Sequence, residues 1–142
     1  MKSMVSNALP LGDAESSSPG KARAARRFVV LVLALAAFFG AAVSLQTLAG
    51  AYDVELSGYP DETGHFVTGA LFQNYLTTFP PQPLIRFAKE FYIHRPKIAV
   101  GHWPPVLYVL EGVWFVLFHV SRRAALALMA LITASVVTVF LR

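Results

Sequence analysis

The chain predicts an all-α membrane protein: three transmembrane helices and a long outer loop containing two short amphipathic juxtamembrane helices. Three observations predict it. Of 142 residues, 56% are hydrophobic and only 14% charged, against about 25% charged in ordinary soluble domains. The apolar residues gather into three long runs. Of the twelve basic residues, five (Lys2, Lys21, Arg23, Arg26 and Arg27) precede the first run, and Arg122 and Arg123 sit together between the last two.

Residues 1–27 are polar and small, and read as a disordered cytoplasmic tail. Residues 28–49, FVVLVLALAAFFGAAVSLQTLA, carry no charge. A helix of about 20 residues crosses the roughly 30 Å hydrocarbon core, so this run is the first span. A signal peptide is the rival reading, because Ala49, Gly50 and Ala51 resemble a cleavage site. A signal core, however, is normally about 7–15 residues long. Residues 104–120, PPVLYVLEGVWFVLFHV, form a shorter second run that holds Glu111, and residues 124–141 form a third, uncharged one. Arg122 and Arg123 then mark a tight cytoplasmic turn. The positive-inside rule places the N-terminus in the cytoplasm and residues 50–103 outside the cell (inner) membrane. No basic surface interleaved with aromatics is present, which excludes nucleic acid as a partner. With no cysteine, disulfides and Cys-based metal sites are excluded too.

The outer loop is long for a connector, and such loops usually carry function or structure of their own. Pro60 suits the first turn of a helix, with Asp61 and Glu62 at its positive end. Phe66, Ala70 and the Phe72–Leu76 pair form a lower face, and TTFPPQP, residues 77–83, breaks the helix. In the following PLIRFAKEFYIHRP, Leu84, Phe87, Ala88 and Phe91 make one stripe, which predicts an amphipathic helix lying in the membrane interface.

The chemistry-bearing stretch is PDETGH. On a helix, Asp61 and Glu62 each share a face with His65, while the two acids diverge by about 100°. One carboxylate can therefore serve as a general base while the other braces a turn, a metal or a neighbouring loop. Capping and helix-dipole stabilisation are the plain alternative. A hard divalent cation, Mg²⁺ or Mn²⁺, would suit Asp61 and Glu62 as oxygen ligands. Gly64 and Gly69 would let another segment approach closely. Lys97 and His102, just outside the second run, could hold a lipid phosphate or simply anchor the interface. Glu111 is an intramembrane acid, functional by default or turned toward a bundle interior.

The order of these features is PDETGHFVTGALFQNYL, a Pro-rich break, then HWPPVLYVLEGVWFVLFHVSRRAAL. It resembles the N-terminal part of membrane glycosyltransferases of the GT-C fold. Among these it resembles glycosyltransferase family 39, the bacterial relatives of dolichyl-phosphate-mannose protein mannosyltransferase, over roughly residues 30–140. The resemblance implies transfer of a sugar from a polyprenyl-phosphate donor to a protein, glycan or lipid hydroxyl, with inversion. It implies Asp61 as the base and Glu62 as its acidic neighbour, with His65, Lys97 and His102 contacting substrate. Proteins of that family are several-fold longer, so the chain is expected to be a fragment, a truncated product or one piece of an assembly. His119, where a Gly is frequent, and Glu111 depart from the pattern. A small noncatalytic membrane scaffold or accessory subunit is the alternative.

Overall fold

The computed structural model describes residues 19–53, 60–98 and 104–141. Among them are five α-helices and no strand: α1 Pro19–Leu48, α2 Pro60–Thr78, α3 Leu84–His94, α4 Pro105–Phe118 and α5 Arg122–Phe140. Helix α1 begins earlier than expected, and residues 19–27, assigned to the tail, form its first turns. The cause is local. Proline suits the first helical position, and KARAARR consists of strong helix formers.

Helix α1 ends in a Schellman cap. Gly50 takes a left-handed φ of 69°, Gly50 N–H donates to Thr47 O (3.0 Å) and Ala51 N–H to Gln46 O (2.9 Å). The small residues that resemble a cleavage site thus close a helix, using glycine where a side chain would be strained.

Two helices, α1 and α5, are long and apolar enough to cross a membrane. They lie antiparallel. Near the end of α1, Gln46 Nε2–H donates to Leu126 O close to the start of α5 (3.1 Å). At the opposite ends, Arg27, Phe28 and Leu31 lie with Leu141 around one hollow. Helix α5 buries Ala124, Leu128, Ala130 and Ala134, and its small alanines let helices approach closely. Helix α1 leaves Phe28, Val29, Val30, Val32, Leu33, Leu45 and Leu48 exposed. An apolar surface of that kind suits lipid.

The expected second span is different. Helix α4 has 14 residues, about 21 Å at 1.5 Å per residue, short of the hydrocarbon thickness. Three successive crossings would also put Leu48 and Arg122 on opposite faces of a membrane. The Gln46–Leu126 bond puts those helix ends side by side. The segment between the two long helices leaves and returns at one end of their pair, and α2, α3 and α4 all belong to it.

Within that segment α2 packs on α4 and α3 packs on α2. Leu71, Phe72, Ala88, Phe91 and Tyr108 form the core, flanked by Val67, Leu84, Phe87 and Ile98. The α3 stripe is therefore real, but protein covers it: Phe87 meets Tyr75 edge-on at 5.4 Å. The apolar side chains that α3 leaves in the open are Ile85, Tyr92 and Ile93. Helix α4 passes into α5 through His119, Val120 and Ser121. His119 has φ 64° and ψ 154°, a region that glycine tolerates far better. Ser121 caps α5, its Oγ accepting from Ala124 N–H (3.1 Å). Trp114 Nε1–H donates to Ala124 O (2.9 Å), tying α4 to the first turn of α5.

Candidate functional site

The acidic pair opens α2 as the sequence predicts, and its two members part company. Asp61 is exposed. Glu62 turns toward α5, and its Oε1 lies 3.1 Å from Arg122 Nη2. Arg122 is the first residue of α5, where its charge sits unfavourably against the positive helix end. Glu62 offsets that. The Arg122 side chain is 21% exposed, and its Nε and Nη1 are buried with no hydrogen-bond partner among the described residues. A guanidinium held this way depends on its one carboxylate, since unsatisfied buried donors carry a desolvation cost.

One turn further along α2, His65 Nδ1 and Tyr108 Oη of α4 share a hydrogen bond of 2.9 Å. Their rings stack with centroids 5.6 Å apart. Tyr108 is 1% exposed, and a buried phenol needs such a partner. Next to it the two helices touch at glycines. A Cβ on Gly69 would lie 2.5 Å from Glu111 Oε2, and one on Gly112 would lie 2.6 Å from Phe72 Cβ. Phe66 and Phe115 extend the contact edge-to-face at 5.4 Å. Glu111 is 4% exposed. Burial pushes its carboxyl from the ordinary 4.5 up to about 7, because desolvation disfavours the charged form. Burial, and then the nearby Glu111 charge, also raises the Tyr108 hydroxyl.

The structure thus brings Glu62 and His65 into the packing of α2 against its neighbours and leaves Asp61 at the rim. Lys97 is exposed in the turn after α3, and no ion pair among the described residues joins it to the acidic pair. His102 lies outside the described residues. No group of three or more His, Asp or Glu among the described residues is placed to hold a metal. Since Arg122 occupies Glu62, one exposed carboxylate remains, a poor fit to a hard divalent ion that wants several oxygens.

Sequence reading missed Tyr108, Gly112 and the partnership of Arg122. Gly69 carried a usable signal, the bare backbone that a close neighbour needs. Arg122 and Arg123 read as a topology mark, and nothing local to them points to Glu62. Comparison with known protein families, curated proteins and solved structures finds no match to this chain.

Proposed function

We propose that the chain is a membrane-anchored helical module that forms the N-terminal part of a transferase moving a sugar from a polyprenyl-phosphate donor to a hydroxyl acceptor. Helices α1 and α5 are its spans. Lys21, Arg23, Arg26 and Arg27 lie near the cytoplasmic face of the cell membrane, and α2, α3 and α4 form an extracytoplasmic cap. The charge balance supports this orientation. Four basic residues flank the start of α1, against Arg122 and Arg123 at the other end, and Arg122 is paired with Glu62.

The observation that carries the enzymatic reading is the division of labour in the acidic pair. The Glu62–Arg122 contact fixes the first turn of α2, which presents Asp61 to solvent on a braced helix end. In the reaction, Asp61 takes the acceptor's hydroxyl proton. The hydroxyl oxygen bonds to the anomeric carbon from the face opposite the phosphate. The bond from that carbon to the phosphate oxygen breaks, its electron pair leaves with the polyprenyl phosphate, and configuration inverts. A positioned base of this kind contributes about 10²–10⁴-fold.

The test is sugar transfer from a radiolabelled polyprenyl-phosphate sugar in membranes carrying the full-length transferase of which this chain would be the N-terminal part. Asp61→Asn should abolish transfer and leave the helical content unchanged. Transfer that persists removes Asp61 as the base. The second reading, a noncatalytic scaffold, draws on one observation: two of the predicted site residues, Glu62 and His65, are engaged in holding α2 to α5 and α4. It predicts that Asp61→Asn leaves any transfer by the full-length form unchanged.

A further inference from the structure

The far end of the α1–α5 pair carries a feature that the acidic pair does not use. A hollow of about 1010 Å³ opens there, lined by Arg23, Arg26, Arg27, Phe28, Leu31 and Leu141 among others. The three arginines stand at i, i+3 and i+4, so they share one face of α1. Below them the lining turns apolar along Phe28, Val30 and Leu31, with Leu141 contributed by the end of α5. Neither helix contains an acidic residue, and no ion pair among the described residues engages these arginines. The positive end of α1 adds to the same field.

We propose that this hollow is a binding site for an anionic phospholipid. The arginines would hold the headgroup phosphodiester, and one acyl chain would descend along Phe28, Val30 and Leu31. Charge complementarity selects the headgroup. The change from guanidinium to hydrocarbon within two helical turns selects a lipid over a soluble anion, because a free phosphate has no use for the apolar wall. Basic pockets between membrane helices bind anionic headgroups on the same physics. The proposal rests on α1 and α5 being spans, and not on the transferase chemistry.

The experiment uses the full chain in nanodiscs of phosphatidylcholine with a minor fraction of phosphatidylglycerol. Lipids that stay with the protein after detergent extraction are measured by native mass spectrometry. Phosphatidylglycerol should be enriched over phosphatidylcholine, and each arginine replaced by glutamine should weaken that preference about five-fold. Arg23→Gln/Arg26→Gln/Arg27→Gln should abolish it, whereas Arg86→Gln/Lys89→Gln/Arg95→Gln, an equal loss of charge on and just after α3, should leave it intact. A photoreactive phosphatidylglycerol on the wild-type protein should label residues 23–31 and Leu141, which decides the matter even if the triple variant fails to insert. Equal retention of the two lipids, equal loss in both triple variants, displacement by inorganic phosphate, or labelling away from the hollow would each overturn the site. Photoreactive phosphatidylcholine reads the spans separately: it should label the exposed faces of α1 and α5 throughout their length, and its failure to do so would remove the two-span premise instead.

Discussion

Glu111 on α4 lies directly over Gly69 on α2, so that a single added methyl would collide with its carboxylate. That contact makes Gly69→Ala a sensitive small change in the cap. Glu111 is 4% exposed, and its Cγ and Cδ crowd the added Cβ at 2.7 and 2.6 Å as well as its Oε2, so it has little room to withdraw. The alanine should cost about 1–3 kcal/mol, the usual range for overpacking, seen as a lower thermal midpoint in detergent. Gly40→Ala is the control. A Cβ there meets nothing, and alanine in an exposed helix interior is favoured over glycine by about 1 kcal/mol. An unchanged midpoint for Gly69→Ala would mean that the helices do not cross this closely.

The same carboxyl makes the cap sensitive to pH, and the sign follows from its raised value. Between about 4.5 and about 7 the folded state holds the Glu111 proton while the unfolded chain has released it. Its contribution to stability is fully present below that window and is lost as pH rises through it. Thermal midpoints should therefore fall from pH 4.5 to pH 7, and the part due to Glu111 should vanish in Glu111→Gln. Parallel curves for the two proteins would refute the assignment.

Glu62 and Arg122 form a partly buried pair, between the weak surface case and the costly buried one. Glu62→Gln should destabilise the protein by about 1–2 kcal/mol, because it leaves the guanidinium without a counter-charge. Arg122→Met removes the buried donors together with the charge and should cost less. The double variant should be more stable than the sum of the two single effects implies. Additive effects in such a cycle would mean that the contact contributes nothing.

The two-span arrangement can be read chemically, since the chain has no cysteine of its own. Lys97→Cys and Arg123→Cys should react with an impermeant maleimide from the same side of sealed membranes, and Lys21→Cys only from the other. Three spans would separate Lys97 from Arg123. The pattern distinguishes the arrangements without reference to activity.

Much of this fold could be read from residue order. Pro60 and Pro105 open helices, TTFPPQP separates α2 from α3, and the charge-free runs become most of α1 and most of α5. The divergence of Asp61 from Glu62 follows from helical geometry alone. What could not be read is what lies across from each face. Periodicity identifies Leu84, Phe87, Ala88 and Phe91 as the inward stripe of α3, but lipid and protein reward the same stripe, and here protein covers it. Arg122 fails for a related reason. A charge count sees a cation between apolar runs and cannot see a carboxylate 60 residues earlier in the chain. His119 shortens α4 by turning the backbone through a conformation that its side chain gives no reason to expect. Tyr108 looks like any aromatic near a membrane boundary until His65 is placed against it.

Because the Gln46–Leu126 bond closes the stem where the chain departs and comes home, the part between behaves as a passenger on a two-legged mount. Its entry and exit are neighbours, so a different folded unit of similar end-to-end spacing could take its place, provided that it also supplied partners for Arg122 and Ala124 at the start of α5. An architecture of this kind lets the intervening part change so long as the first turn of α5 keeps the partners it now has.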